Sequence, residues 1–553
     1  MRRYPRFFAK VLAGRGIESI DNLDLSLSRL LPPDGLSDLD VAAARIARAV
    51  RGDEAILVLG DFDADGASGT ALAVSLLEAL GATYVDYLVP NRFAFGYGLT
   101  PEIVGVALKR EPSLIVTVDN GMSSVAGVTL AQECGVDVVV TDHHLPGDEL
   151  PPACAIVNPN APGCAFASKA LAGVGVVYYV LSRVRLLLAE AGFFRGRGIA
   201  PPNLANWLDL VALGTVADVA PLDLNNRILV HQGLRRMRGG LARSGIRALA
   251  QVAGRNLSAV TAQDLGFGIA PRLNAAGRLK DMTLGIRCLL SPDMPEAQRL
   301  ARELDELNTE RRDIERDMTL DATLLVDESS EDQRSVFCLY DASWHQGIVG
   351  IVAGRIRERY HRPVIAFADA GGAAPGELRG SARSIPGLHI RDALDDVAAR
   401  FPGLMVKFGG HAMAAGLSIR RSQLDRFTKA FSDAVEARVS ERDLAGIRLT
   451  DGELEPAELI IENARLVASH GPWGQGFEEP TFHGEFDIVA QRVVGQRHLK
   501  LALRHGARVV DAIAFNREPV GPERIRALYR LSVNDYSGME TLQLVIQDLE
   551  PAV

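Results

Sequence analysis

The sequence predicts a multidomain α/β protein: a parallel-sheet domain, a long connecting helix, a smaller α/β domain and a terminal β-barrel. Three observations predict it. The chain has 553 residues, and single hydrophobic cores stop growing at roughly 250–300 residues. Short β-branched runs alternate with helical patterns over residues 53–160 and again beyond 335, the mark of βαβ units around a buried parallel sheet. Beyond residue 445 the pattern changes to alternating apolar runs, which read as a small barrel or sandwich.

Residues 1–50 form a helical lead-in, with Asp38 placed to cap a helix over Leu39–Val50. Residues 51–289 form the first α/β domain. Its strands are predicted at Ala55–Leu59, Leu114–Val118, Val136–Thr141 and Ala155–Val157, followed by mainly helical sequence over 168–240 with a Gly/Pro-rich break at Gly192–Pro202. Residues 290–330 carry dense alternating charge without Gly or Pro after Pro295, as in an exposed connecting helix. Residues 331–442 form the second α/β domain, with strands at Ser335–Tyr340 and Val364–Ala368 and a helix over Ser422–Val439. Residues 443–553 form the barrel, with strands at Thr481–Val489, His498–Leu503, Val509–Phe515 and Thr541–Gln547.

Apolar residues make up 47% of the chain and charged residues 23%, ordinary values for a soluble globular protein. The net charge of −9 argues mildly against a nucleic-acid partner, so any such surface has to be a local basic groove. Five cysteines without a C-x-x-C pair read as reduced thiols of a cytoplasmic protein. No apolar run reaches the ~18–20 residues of a membrane span. The opening MRRYPRFFAKVLAGRG is interrupted by Lys10 and is not expected to act as a signal peptide.

The chemistry lies at strand ends. The first strand runs into LGDFDADGASGT, giving Asp61, Asp63 and Asp65; the second ends in VTVDNG, giving Asp119; the third ends in VVVTDHH, giving Asp142, His143 and His144. Ligands of open α/β sheets bind beyond the carboxyl ends of the strands, so these clusters converge on one rim. A fourth segment, LGTVADVAPL, sets Asp218 after a helix expected over Leu204–Leu213. So many carboxylates are costly to gather unless cations neutralise them. Oxygen ligands with one or two imidazoles suit Mn²⁺ or Mg²⁺, and two such ions clamp a phosphoryl group and deprotonate water. An EF-hand loop also begins Asp-x-Asp-x-Asp-Gly, but its twelfth position here is Leu72 rather than Glu, and a strand precedes it. Gly66, Ser68, Gly69 and Thr70 suit either a phosphate at a helix start or ordinary capping.

GDFDADG, VDNG, TDHH and GTVADVAPL, in this order, resemble the four motifs of the DHH phosphoesterase superfamily. GFGIAPRLNAAGRL (266–279), WHQGIVGIVAGR (344–355), GSARS (380–384) and FGGHAMAAGLSI (408–419) look like its RecJ branch, including a DHHA1 domain, and the likeness spans almost the whole chain. The resemblance implies a 5′→3′ exonuclease on single-stranded DNA that releases mononucleotides with two Mn²⁺ or Mg²⁺ ions in repair and recombination. It implies that Asp61 and Asp63 serve one ion and Asp65 the other, that Asp119 bridges, and that His143 and Asp218 complete the second site. His144 is then beside the ions, and Asp142 orients the histidines.

Among residues of the later motifs, Gly409-Gly410-His411 permits close backbone approach to a DNA strand with an imidazole beside it. Ser381 and Arg383 suit a terminal 5′-phosphate, because a guanidinium matches phosphate at two points. Arg272, Asn274 and Arg278 are expected to line the same cleft. The terminal barrel resembles an OB-fold, with Phe482, Phe515, Tyr529 and Tyr536 as candidate stacking platforms and Arg492, Arg497, Arg504 and Arg508 expected to be matched by nearby acids. Family likeness adds a single-strand-binding protein and a helicase as partners; a monomer is expected. Two other readings are weighed: a phosphodiesterase of the superfamily acting on short oligonucleotides or cyclic dinucleotides, and a non-catalytic single-stranded-DNA-binding replication scaffold, which is expected to lack metal ligands.

Overall fold

A computed structural model describes residues 4–91, 95–328, 335–371, 374–495, 497–534 and 538–552. Tyr536 lies outside the described residues. The chain divides into two compact units. One comprises Met1–Leu273, Met282–Arg302 and Leu449–Val553; the other comprises Asn274–Asp281 and Glu303–Arg448.

The first unit is built on a five-stranded parallel sheet. Its strands are β1 (Ile56–Leu59), β2 (Val85–Leu88), β3 (Leu114–Val118), β4 (Asp137–Thr141) and β5 (Ala155–Val157), in the order β2-β1-β3-β4-β5. β1 and β3 are buried at every position, which is why they read as unbroken apolar runs. Sequence reading missed β2, an edge strand (VDYL) with no fully buried residue and hence no apolar run. The register pairs Leu59 with Thr117 and Val118 with Thr141, so the residues that follow β1, β3 and β4 emerge side by side.

Three helices pack behind this edge. The helix Ala64–Ala79 is buried on nearly all sides and packs against the helices Gly173–Glu190 and Leu208–Ala217. The last of these begins four residues later than expected, because Asn203 caps a separate 3₁₀ turn over Leu204–Trp207. Asp38 precedes the helix Leu39–Arg51 in a left-handed conformation and does not cap it; its carboxylate accepts instead from the Ile156 N–H at 3.1 Å.

The barrel belongs to the same unit. It consists of β11 (Phe482–Val494), β12 (His498–His505), β13 (Arg508–Ala514), β14 (Arg524–Asn534) and β15 (Thr541–Pro551), closed in the order β11-β12-β13-β15-β14. β14 was also missed: its outward positions carry Arg524, Arg526 and Arg530, which hide the alternation. The first helix, Arg6–Gly14, packs on this C-terminal region. Phe7 meets Phe482 edge-on at 5.9 Å, Phe8 meets His470 at 4.9 Å, and Arg15 pairs with Asp451 at 2.5 Å.

The second unit carries a mixed sheet of β6 (Phe337–Tyr340), β7 (Val364–Asp369), β8 (Glu377–Arg383), β9 (Met405–Gly410) and β10 (Ala414–Arg420), ordered β6-β7-β8-β10-β9. The charged segment is one continuous helix, Met294–Glu328, and it runs from the first unit into the second. Met318, Ala322 and Val326 of that helix pack in the core over β6 and β7.

Candidate active site

Asp61 lies two residues past β1, Asp119 directly past β3 and Asp142 directly past β4. Asp63 caps the helix Ala64–Ala79 by accepting from the Gly66 N–H at 2.9 Å. Asp65 and Asp119 are buried, and Asp218 ends the helix Leu208–Ala217. The structure gathers these side chains into three overlapping groups: Asp61, Asp63 and Asp119; Asp65, His143 and Asp218; and Asp119, His143 and His144. Within each group one potential ligand atom per residue lies within 4.8 Å of the others. His143 joins two of them, with Nε2 3.0 Å from Asp119 Oδ1 and Nδ1 3.9 Å from Asp218 Oδ2.

The donor set fits divalent cations. Asp119 Oδ1 is buried and faces His143 Nε2 at 3.0 Å without a well-aligned hydrogen bond, a costly state for a carboxylate that a cation relieves. Burial and the neighbouring charges of Asp65, Asp63 and Asp61 hold the Asp119 carboxyl well above the usual carboxylate range. Burial, with Asp65 and Asp63, does the same to Asp218. Burial and Asp63 push Asp65 up to about 7, against the hydrogen bonds that its carboxylate accepts from the Gly173 and Val174 N–H groups at 2.7 and 3.2 Å. Asp65 thus also ties the start of the helix Gly173–Glu190 to the site.

Asp142 is saturated by the protein. Its Oδ1 accepts from His143 N at 2.7 Å, His144 N at 3.1 Å and His144 Nδ1 at 2.8 Å, and its Oδ2 accepts from Met122 N at 2.8 Å. Burial raises its pKa, but the His144 hydrogen bond, the charges of His144 and His143 and the Met122 N–H together leave it below the usual value. Burial disfavours the His144 imidazolium, but the Asp142 hydrogen bond and the charges of Asp142, Asp61 and Asp218 together lift His144 to about 9. Asn158 and Asn160 donate to the backbone carbonyls of His144 and His143 at 2.8 and 2.6 Å, fixing the loop from behind.

Several contributors carried no signal in the sequence. Tyr97 stands in a Gly-rich loop, yet its hydroxyl lies 3.1 Å from the Asp119 carbonyl oxygen and 3.0 Å from His144 Nδ1. The residue is 38% exposed, while its hydroxyl turns toward Asp119 and His144. Burial and the carboxylates of Asp142, Asp61 and Asp119 hold that hydroxyl in its neutral form. Gly173 and Gly214 make room for the acids: a Cβ at Gly173 would stand 2.5 Å from Asp119 Cβ, and one at Gly214 2.5 Å from Asp65 Oδ1. Asp119 has φ 64° and Val219, next to Asp218, has φ 57°. Asp tolerates this left-handed region, whereas a β-branched Val adopts it only when the surroundings impose it.

These shifts set the pH response of the metal-free protein. A carboxyl raised from 3.8 to about 7, as at Asp65, makes the fold lose stability as pH climbs through that window. His144, raised from 6.5 to about 9, contributes stability that is complete below its unfolded value and is lost as pH rises through the folded one. Both act in one direction. In thermal melts with a chelator the protein is therefore expected to melt lower at about pH 8.5 than at about pH 6, and Mn²⁺ is expected to restore more at the higher pH, where it no longer competes with protons. A metal-free melting temperature that is flat or rising over this range would contradict the assignment.

The later motif residues divide between the units. Arg272 belongs to the first, where its guanidinium donates to the Gly268 and Val252 carbonyls at 2.5 and 3.4 Å. Asn274 and Arg278 belong to the second, where Arg278 donates to the Gly347 carbonyl at 3.0 Å. Ser381 and Arg383 do come together: Arg383 Nη1 donates to Ser381 Oγ at 3.1 Å. Arg383 forms no ion pair among the described residues, and burial and Arg357 lower its pKa, conditions that favour an anion. Gly350, at the start of the helix Val349–Tyr360, faces this pair; a Cβ there would reach Ser381 Oγ at 2.7 Å and Arg383 Nη2 at 2.9 Å. Across the sheet, Ser381 pairs with Gly416 and Gly416 with Gly409, and a Cβ at either glycine would meet nothing within 4 Å, leaving an open track. Gly410 has φ 144° and no room for a Cβ beside the Ala414 carbonyl, and His411 N donates to that same carbonyl at 2.8 Å.

The barrel corrects two expectations. Phe482 and Tyr529 are each 1% exposed and are core residues, because alternation alone does not tell the inside of a barrel from the outside; Phe515 is 55% exposed. Arg492, Arg497, Arg504 and Arg508 form no ion pair among the described residues; Arg508 donates to the Leu459 carbonyl, and nearby acids pair instead with Lys500, Arg517, Arg524 and Arg526.

Acid and histidine groups poised for divalent cations at the carboxyl edge of a parallel sheet, followed by a second α/β unit, define a DHH-type metal-dependent protein. Residues 55–215 match the DHH family N-terminal domain, 333–437 the DHHA1 domain and 450–548 the RecJ OB domain. The chain belongs to the RecJ family. It is 48% identical over 557 residues to the single-stranded-DNA-specific exonuclease RecJ of Escherichia coli (strain K12), covering 99% of this chain and 96% of that protein. It is 34% identical over 538 residues to the RecJ of Thermus thermophilus, covering 97% and 74%. The crystal structure of Thermus thermophilus RecJ in complex with Mn²⁺ superposes with a TM-score of 0.81 at 32% identity over 99% of this chain and 76% of that one. The Mg²⁺ complex gives 0.75 at 30% identity over 99% and 75%. Among the described residues, no helix is long and apolar enough to cross a membrane.

Proposed function

We propose that this protein is a 5′→3′ exonuclease that degrades single-stranded DNA to mononucleotides by two-metal-ion hydrolysis. The observation that carries the reading is the convergence of three acid–histidine groups on one sheet edge, in a chain related over its length to single-stranded-DNA-specific exonucleases. Asp61, Asp63 and Asp119 would hold one ion and Asp65, His143 and Asp218 the other, with Asp119 shared through its contact with His143. A pair of Mn²⁺ or Mg²⁺ ions supplies charge neutralisation at the phosphoryl group and a water deprotonated at neutral pH. His144, oriented by its hydrogen bond to Asp142 and contacted by Tyr97, would offer an imidazole hydrogen-bond donor beside the scissile phosphate. No candidate metal ligand is lost, which favours an enzyme over a binding scaffold.

In the second unit, Arg383 with Ser381 and Gly350 would take the terminal 5′-phosphate, and the open glycine track would let the backbone run close to the sheet. In the barrel, the arginines without acid partners and exposed Phe515 would contact phosphates and a base. The proposal extends to a monomer acting in repair and recombination in the cytoplasm, with a helicase and a single-strand-binding protein as the partners that family likeness implies.

Digestion of end-labelled single- and double-stranded DNA and RNA with Mn²⁺ tests the reading: laddering from the 5′ end of single-stranded DNA alone supports it, and attack from the 3′ end or on duplex refutes it. Arg383→Ala is expected to reduce the preference for a 5′-phosphate over a 5′-hydroxyl end by roughly 10–100-fold, the worth of a charge-assisted hydrogen-bond pair. An unchanged preference would remove Arg383 from the pocket.

A further inference from the structure

We infer that the segment Trp473–Glu479, which leads into the barrel, positions Asp218 for metal binding through Phe477 and Arg227. This rests on the reading of Asp218 as a metal ligand.

The backbone next to Asp218 needs support. Val219 is β-branched and left-handed, with φ 57°, a conformation that persists only where the surroundings over-determine it. The residues that follow are clamped from two sides. On one side, Asn226 is fully buried and donates to the Pro221 carbonyl at 2.9 Å and the Ala170 carbonyl at 2.6 Å. On the other, Leu222 N donates to the Gln475 carbonyl at 2.7 Å. Gly474 sits so close that a Cβ would stand 2.8 Å from Leu222 Cδ1, and one at Gly476 would stand 3.5 Å from Pro221 Cβ.

Arg227 locks this joint. It is 2% exposed, no carboxylate pairs with it among the described residues, and its Nε is buried without a hydrogen-bond partner. A guanidinium in that setting is costly. Besides a long hydrogen bond from Nη1 to the Asn22 carbonyl at 3.5 Å, what offsets the cost is the face of Phe477, 3.7 Å from the guanidinium carbon to the ring centroid, the geometry of a cation–π contact. Phe477 in turn stacks on Trp473 at 4.8 Å and 10°, and Trp473 Nε1 donates to the Val467 carbonyl at 2.9 Å. Arg227 lies in the first turn of the helix Leu224–Arg238, whose cap is Asp223, so the Phe477 contact fixes the far end of the loop that starts at Asp218. Neither Arg227 nor Phe477 is placed to touch substrate or metal; both are positioning residues.

Mn²⁺ alone, titrated calorimetrically into the full-length protein, tests the inference without reference to cleavage. Asp218→Asn should lose one of two bound ions. Phe477→Leu and Gly474→Ala should keep both ions but weaken one of them by roughly tenfold, the usual effect of disturbing a ligand's support, with unchanged circular dichroism. Arg227→Lys, which keeps a cation over the ring, should recover most of what Arg227→Met loses. If Asp218→Asn loses an ion while Phe477→Leu and Gly474→Ala bind both as wild type does, the segment is packing alone and the inference fails. It fails equally if both ions weaken together with a lowered melting temperature. If Asp218→Asn still binds two ions, the ligand reading itself is wrong, and the inference falls with it.

Discussion

Asp119→Ala is expected to abolish cleavage, by about 10³-fold or more, while leaving the fold and much of the DNA binding in place. The size follows from position: Asp119 belongs to two of the three ligand groups and contacts His143, which serves the third, so under the proposed assignment one ion would lose a ligand and the other the contact that holds its histidine. A 10³-fold loss corresponds to about 4 kcal/mol of transition-state stabilisation, within reach of a shared metal ligand. The fold should survive because the buried carboxyl is a burden on the metal-free protein, and its removal relieves the crowding around Asp65. Single-turnover digestion of 5′-labelled single-stranded DNA, with fluorescence anisotropy for binding, measures both halves. Retained Mn²⁺-dependent turnover would contradict the shared role.

Gly173→Ala is expected to lower turnover by about 10²-fold although glycine bears no chemistry. The added methyl group would stand 2.5 Å from Asp119 Cβ and 2.7 Å from its Oδ1, and real Cβ atoms do not tolerate such distances. Either Asp119 moves or the start of the helix Gly173–Glu190 moves and releases the Asp65 carboxylate from Gly173 N–H. Displacement of a reacting group by about 1 Å costs on the order of 10²-fold. Ordinary helix propensity predicts the opposite sign for stability, because alanine is favoured over glycine in a helix. Turnover and thermal melting measured together separate the two effects, and a variant with wild-type turnover would show that the neighbourhood yields more easily than its packing indicates.

Much of the site was legible before any coordinates, for a physical reason. Buried parallel strands appear as unbroken apolar runs, and in such sheets chemistry gathers where those runs end. Asp61, Asp119 and the Asp142-His143-His144 triplet could therefore be placed on one rim from spacing. What stayed hidden depends on packing between distant segments. Gly173 and Gly214 are small because Asp119 and Asp65, from distant segments, need the room, which nothing around them in the chain declares. Tyr97 is a lone ring in a glycine-rich loop, ordinary until its hydroxyl is seen against His144. Phe482 and Tyr529 fall in alternating strands whose two faces look alike in sequence, and Arg227 reads as one more charged helix residue until Phe477, 250 positions later, is seen beneath it.

The seating of the first helix against the C-terminal region has a bearing on biosynthesis. Phe7 and Phe8 are made long before His470 and Phe482, and at about 5–20 residues per second the wait is on the order of 20–90 s. Through that interval Phe7 and Phe8, on the apolar stripe of the first helix, lack the aromatic partners they meet in the folded protein.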